Sequence, residues 1–170
     1  MTDQEILTRA AELLVARMRK AVRIGDANEL CLHAAIRLRS EVREVVLAYW
    51  LGHEDRLIAV EEIAAGGDAV VSYSPRDLAR KALLANATSV AIVHNHPPGT
   101  DPRPSDTDRQ AATSINQFLS VVGVFPAGHF VVTAEGAENV MTGDRCTFLT
   151  EVRTLDPRYC ERCNALKENH

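Results

Sequence analysis

The sequence feature that most constrains the fold is a short apolar run that ends in two histidines. The stretch "SVAIVHNHPPGTDPRPSDTD" occupies residues 89–108, and its first part, "SVAIV", is short, continuous and apolar. Such a run is typical of a strand that is buried on both faces of a sheet. The feature therefore predicts an α/β protein in which helices cover both faces of the strand.

Helical and strand patterns follow one another along the rest of the chain. Apolar residues at helical spacing predict two helices before residue 40, one from Pro75 to about Asn86, and one that begins at Ser105 and ends at Gly123. β-Branched and aromatic residues predict further strands at 45–51, 56–65, 69–73 and 129–134, with a shorter one near Val140. This order predicts a mixed β-sheet sandwiched by helices.

The chain divides into three predicted parts. Residues 1–40 form N-terminal helices that pack on the core, residues 41–143 form the α/β domain, and residues 144–170 form a polar tail that contains "CERC". A lone C-x-x-C pair is a weak metal signal, so a second, structural zinc at Cys160 and Cys163 is not expected. The four cysteines are too few and too scattered for a disulfide scaffold, and we expect reduced thiols.

Composition limits the environment and the partners of the chain. The formal net charge is −4, which provides no global attraction to nucleic acid. No run approaches the ~20 apolar residues that span a bilayer. The first 20 residues mix charged and apolar side chains, so we expect neither a signal peptide nor a membrane partner. The predicted location is the cytoplasm.

The two histidines predict a metal site. Residues two apart on a strand point to the same side, so His94 and His96 project together from the end of the buried strand. Zinc binds neutral imidazole and carboxylate, and a catalytic zinc keeps three protein ligands and an open position. Asp108 is the candidate third ligand, in the first turn of a helix that Ser105 caps. A capping box alone also explains Ser105 and Asp108, but it does not explain why the helix directly follows H-x-H.

These motifs resemble the JAMM motif of the JAB/MPN zinc metalloprotease family. H-x-H followed by S-x-x-D matches that motif, and "HNHPPG" is similar to the "HNHPSG" of the RadC-like branch. Further similarity lies in "RLIAVEEIAAGG", "SPRDLARKALLANATSVAIVHNHP" and "GHFVV", so that about residues 42–142 are covered. The resemblance implies a JAB/MPN, cytidine-deaminase-like fold and one catalytic Zn²⁺ ion.

The resemblance also implies a glutamate on an earlier strand that acts as general base and acid. An ungapped match places it at Glu61, with Glu62 as the alternative. We expect Glu61 on a buried face, where desolvation would raise its pKa. In this mechanism Glu61 takes a proton from the zinc-bound water, and Ser105 with the metal stabilises the oxyanion.

The implied function is hydrolysis of a peptide or isopeptide bond by a zinc metalloprotease. The loop resembles JAB peptidases of prokaryotic ubiquitin-like conjugation operons, which implies a protein or peptide substrate such as a ubiquitin-like protein, in a deubiquitinase-like role within phage defence. One alternative is a RadC-type accessory protein of DNA repair without peptidase activity, although residues 1–40 are too short for the DNA-binding module of full RadC-like proteins. Another is a catalytically silent scaffold, although such domains typically lose the ligands.

Overall fold

The computed structural model describes residues 2–20, 27–66, 74–98, 101–134 and 136–147, without the side chains of residues 146 and 147. Its helices are α1 (Asp3–Lys20), α2 (Ala27–Arg37), α3 (Pro75–Leu84) and α4 (Asp106–Val121), with a short 3₁₀ turn at His53–Asp55. Its strands are β1 (Val45–Leu51), β2 (Leu57–Ala65), β3 (Ser89–Asn95), β4 (Phe125–Val132), β5 (Gly136–Asn139) and β6 (Arg145–Thr147).

The strands form one mixed sheet in the order β2-β1-β3-β4-β5-β6. Strands β3 and β4 are parallel, and the other neighbouring pairs are antiparallel. The apolar run of β3 lies between β1 and β4, and six of its seven residues are buried. Helices cover both faces, so the prediction of a mixed α/β sandwich with N-terminal helices is confirmed.

Each face of the sheet packs against its own pair of helices. Side chains of α1 and α2, among them Met18, Leu30 and Ala34, join one apolar core with the sheet. Side chains of α3 and α4, among them Leu78 and Leu119, join a second core on the opposite face. None of the helices in the described part of the chain has both the length and the apolar composition that a membrane span requires.

A buried polar contact fixes α2 against β1. The Tyr49 hydroxyl donates a hydrogen bond to the carbonyl of Leu30 at 3.1 Å and lies 2.7 Å from Nδ1 of His33. Because the Tyr49 proton is used at Leu30, Nδ1 of His33 is the donor to the Tyr49 oxygen. Burial, with a smaller contribution from the charge of Arg37, lowers the pKa of His33 to about 4. This histidine is therefore neutral in the folded protein at neutral pH.

The observed strands differ from the predicted ones at two places. Strand β4 begins at Phe125 rather than residue 129, because its parallel pairing with β3 includes Pro126 and Gly128, which both disfavour a strand interior in sequence. Strand β6 lies beyond the boundary predicted at residue 143 and pairs with β5. The predicted strand at 69–73 and the "CERC" segment lie outside the described residues.

Candidate metal centre

His94 lies near the end of β3, on the face that packs against α3 and α4. It is opposite Val46 of β1 on one side and Val131 of β4 on the other. Its side chain is buried, and within the described residues its Nε2 atom has no hydrogen-bond partner. An unsatisfied buried polar atom is costly unless something else binds it. Nε2 of His94 is therefore available as a ligand.

His96 follows the last residue of β3 and is oriented by the loop after it. Its backbone N–H donates to the carbonyl of Val132 at 3.3 Å, which continues the alignment with β4. Its Nδ1 atom lies 2.6 Å from the carbonyl oxygen of Asp101. A carbonyl only accepts, so Nδ1 carries the proton and Nε2 presents its lone pair to the cluster when the ring is neutral.

The N-terminus of α4 supplies the carboxylate. Ser105 is the N-cap, and its hydroxyl oxygen accepts a hydrogen bond from the backbone N–H of Asp108 at 3.2 Å. The Asp108 carboxylate in turn accepts hydrogen bonds at Oδ2 from the Ser105 backbone at 2.7 Å and from its hydroxyl at 2.6 Å. This capping box holds Asp108 over the end of β3. Both bonding roles of the Ser105 hydroxyl are thereby used, and its predicted oxyanion role stays a prediction.

The three predicted ligands converge. Nε2 of His94 lies 3.3 Å from Asp108 Oδ1, and Nε2 of His96 lies 3.5 Å from Asp108 Oδ2. One ligand atom from each of the three residues lies within 4.8 Å of the others. Two imidazole nitrogens and one carboxylate form the donor set of a catalytic zinc site. Nε2 of His94, which makes no hydrogen bond within the described residues, fits that use. The cluster could bind a metal ion.

The charges at the cluster are coupled. Burial by itself would raise the pKa of Asp108, but the imidazoles of His94 and His96 and the Ser105 hydroxyl outweigh it and hold the pKa well below its usual range. The Asp108 carboxylate raises the pKa of His96, against the opposing effect of burial. Asp108 is therefore an anion at neutral pH, the state that a metal ligand requires.

Glu44 is the carboxylate that the sequence reasoning missed. It directly precedes β1, and its Oε1 atom lies 4.0 Å from Nε2 of His94. With His96 and Ser105 it lines an open cleft of about 540 Å³ beside the cluster. One signal could have identified it: if β1 and β3 pair antiparallel, the residue before β1 lies at the sheet end where the histidines project.

Glu61 lies elsewhere and in a different environment from the predicted one. It is opposite Ala48, two positions along β1 from the partner of His94, and β1 separates the two residues. Two strand spacings put their backbones about 10 Å apart across the sheet. The Glu61 carboxylate accepts a hydrogen bond from Lys81 at 2.8 Å, and its side chain is 41% exposed.

The expected rise in the pKa of Glu61 is wrong. The hydrogen bond from Lys81 lowers the pKa and outweighs the opposing effect of the small burial. A carboxylate with a lowered pKa is a weaker proton acceptor. The alternative, Glu62, is exposed opposite Leu47. The catalytic role assigned to Glu61 stays a prediction, and Glu44 is the glutamate beside the cluster.

His129 is a further histidine near the cluster, and it is buried on β4. Its Nε2 atom lies 2.8 Å from the side-chain oxygen of Asn116 on α4. Burial, followed by the charge of His94, lowers the pKa of His129 to about 4. It is not among the three residues that converge as candidate ligands.

Fold and cluster together define an α/β protein with a candidate three-ligand metal site. The RadC-like JAB domain family matches residues 24–142. The chain belongs to this family.

Relatives support the assignment. A UPF0758 protein of Vibrio cholerae is 32% identical over 149 residues, which is 88% of each chain. A UPF0758 protein of Stenotrophomonas maltophilia is 44% identical over 96 residues, covering 56% of this chain and 41% of the relative. One of Xanthomonas campestris is 34% identical over 119 residues, covering 70% and 52%. The chain therefore spans about half the length of several curated relatives that it matches.

Proposed function

We propose that the protein is a cytoplasmic zinc-dependent hydrolase of peptide or isopeptide bonds. The single observation that carries this proposal is the convergence of His94, His96 and Asp108, with the Glu44 carboxylate 4.0 Å from His94. His96 and Glu44 also line an open cleft beside this cluster. Membership of the RadC-like JAB domain family supports it. Three ligands and a nearby free carboxylate are the parts that metal-assisted hydrolysis needs.

Zinc is the metal that the donor set favours. Two imidazoles and one carboxylate suit Zn²⁺, whereas Mg²⁺ and Ca²⁺ prefer oxygen ligands throughout. When bound with an open position, zinc acts as a Lewis acid and lowers the pKa of water from 15.7 toward about 7. Hydrogen bonds already orient two of the candidate ligands. The carbonyl of Asp101 orients His96, and the Ser105 hydroxyl orients Asp108.

Glu44 is the proposed general base and acid. Its carboxylate approaches His94 to 4.0 Å, so one water molecule placed beside the ligands would lie within hydrogen-bond reach of it. Glu44 would take a proton from the attacking water as the water oxygen bonds to the carbonyl carbon of the substrate. It would return that proton to the amine nitrogen as the carbon–nitrogen bond breaks. Its side chain is 33% exposed on the cleft side, which allows a substrate to reach it.

The proposed substrate is a protein, in particular a ubiquitin-like protein joined through its C-terminus to a lysine or to a short extension. The cleft supports an extended polypeptide, because it is open and its walls carry charges of both signs, including Glu44, Arg103 and Arg109. The choice of a ubiquitin-like partner rests on the similarity of the loop after His96 to peptidases of conjugation operons. This choice is an analogy with other members of the family. We propose a role in phage defence on the basis of the same analogy.

The test is hydrolysis by the purified full chain loaded with one equivalent of zinc. Linear fusions and isopeptide conjugates of ubiquitin-like proteins from the same genome are incubated with it, and products are identified by intact mass. We expect cleavage after the C-terminal residue of the ubiquitin-like protein, loss of cleavage on chelation, and recovery when zinc is restored. Zinc-loaded protein that cleaves none of these substrates but binds duplex DNA in a salt-sensitive manner would contradict the proposal and favour the DNA-repair alternative.

A further inference from the structure

Asn95 lies between the two histidine ligands in sequence but points to the opposite face of β3. It is only 5% exposed, one of few polar side chains buried this deeply in the described part of the chain. A buried amide is retained at little cost only when its donors and acceptors are bonded. Its partners therefore indicate what it does.

Both polar atoms of the Asn95 amide bind the backbone on either side of Glu44. The backbone N–H of Val45 donates to Oδ1 at 2.8 Å, and Nδ2 donates to the carbonyl of Arg43 at 3.0 Å. The carbonyl of Glu44 itself accepts a hydrogen bond at 2.7 Å from the N–H of Gly66, which follows β2. Three hydrogen bonds therefore hold the backbone around Glu44 from two sides.

The Asn95 side chain replaces backbone pairing that is missing here, because the ladder of backbone hydrogen bonds between β1 and β3 ends before it reaches residues 43–45. The last residue pair of that ladder is Val46 with His94, so residues 43–45 lie beyond it. A side-chain amide offers the same acceptor and donor as a peptide group. Asn95 therefore extends the pairing of the segment that precedes β1, while its two neighbours in sequence remain available for metal binding.

The carboxylate of Glu44 depends on this backbone support. Within the described residues it makes no hydrogen bond, and its ion-pair neighbour is His94 at 4.0 Å. A partly exposed side chain with no bond of its own is placed by the backbone from which it extends. A shift of residues 43–45 would move the carboxylate out of reach of the cluster.

We propose that Asn95 is the positioning residue for the general base: it holds the backbone of residues 43–45 so that the Glu44 carboxylate faces the metal position. This inference rests on the proposed function. It does not require the substrate to be known, because the position of Glu44 can be measured without turnover.

The experiment compares the wild-type chain with Asn95→Ala, Asn95→Asp and Tyr49→Phe, each loaded with Co²⁺ alone. Asn95→Asp keeps the acceptor for the Val45 N–H and controls for side-chain volume. Tyr49→Phe removes two buried hydrogen bonds between β1 and α2, away from the cluster, and controls for general loss of stability. The readouts are Co²⁺ stoichiometry, hydrogen exchange of the Val45 amide, and the paramagnetic effect of Co²⁺ on the Glu44 carboxyl carbon signal.

We expect one Co²⁺ per chain in all four proteins. In Asn95→Ala the Val45 amide exchanges about tenfold faster, the factor expected for the loss of one hydrogen bond. The paramagnetic effect at Glu44 falls in the same variant, whereas Tyr49→Phe retains both wild-type values and Asn95→Asp retains the protection of Val45. Where a substrate is in hand, the kcat of Asn95→Ala falls about 10- to 100-fold with little change in KM.

An unchanged Glu44 signal and unchanged Val45 exchange in Asn95→Ala would overturn the positioning role. So would an equal effect of Tyr49→Phe on the Glu44 signal. If Asn95→Ala does not fold, the test uses Asn95→Asp, which cannot donate to the carbonyl of Arg43. The paramagnetic effect at Glu44 must then be weaker in Asn95→Asp than in the wild type. If the wild-type protein binds Co²⁺ but cleaves nothing, the hydrolase is contradicted. The positioning role is still supported in that case when the Glu44 signal of the wild type is lost in Asn95→Ala.

Discussion

Replacing each of two glutamates by glutamine separates the carboxylate beside the metal site from the one on the neighbouring strand. Glu44→Gln keeps the size of the side chain and removes its ability to accept a proton. Glu61→Gln makes the same chemical change at a carboxylate that Lys81 binds at 2.8 Å. The pair is matched, because both residues are partly exposed glutamates next to β1 or paired with it.

The expected magnitudes differ because the two carboxylates have different neighbours. A positioned general base contributes about 10²- to 10⁴-fold to rate, so Glu44→Gln should lower kcat by that factor, or about 3 to 5 kcal/mol in activation free energy. Glu61→Gln breaks an ion pair whose two side chains are 41% and 35% exposed. Such a pair contributes about 0.2–1 kcal/mol to stability, and kcat should stay within about twofold of wild type.

The assay measures initial rates on one cleavable substrate at saturating concentration, with zinc content determined for each variant. Both variants should retain one zinc per chain, because neither residue is among the three proposed ligands. Full activity in Glu44→Gln together with loss of activity in Glu61→Gln would refute the structural reasoning and restore the base predicted from the ungapped sequence match. A loss of zinc from Glu44→Gln would show instead that Glu44 is a ligand.

Two further predictions concern the cap and the core. Ser105→Ala should lower the free energy of unfolding by about 1 kcal/mol, because α4 loses its N-cap. It should also weaken zinc binding about 10- to 100-fold, because Asp108 loses two of its hydrogen bonds. An unchanged zinc affinity in a titration would contradict this. His33, with its pKa lowered from 6.5 to about 4, contributes stability that is complete above pH 6.5 and is lost as the pH falls, by about 3 kcal/mol at pH 4. Urea titrations should show a flatter pH dependence in His33→Gln, and no such change in a variant of the 90% exposed His53.

Much of the fold could be predicted from local patterns. The uninterrupted apolar run of β3 requires a sheet covered on both faces, and Ser105 with Asp108 predicts the start of α4 regardless of any metal. The sequence predicts the start of β4 four residues too late. Pro126 and Gly128 disfavour a strand in sequence, but pairing with β3 includes both of them in the sheet. Strand β6 has three residues, which is too short for a periodic signal.

The candidate ligand set could be predicted, but the second carboxylate of the site, Glu44, could not. His94, His96 and Asp108 lie within fifteen residues, so a strand end, a loop and a helix start are enough to bring them together. Glu44 reaches His94 only because β1 pairs antiparallel with β3, a contact across fifty residues. The matched segment placed the base at Glu61, on the far side of β1 from His94, and that role stays a prediction. The expected burial of Glu61 was wrong, because nothing in the sequence revealed its ion pair with Lys81 on α3.

The most direct test is to locate the metal in crystals of protein purified without chelator. Anomalous diffraction at the zinc edge should show one ion about 2.0–2.2 Å from Nε2 of both histidines and from an Asp108 oxygen, and elemental analysis should give one zinc per chain. Protein that contains no zinc after reconstitution, or an ion held at Cys160 and Cys163 while His94, His96 and Asp108 point apart, would contradict the account.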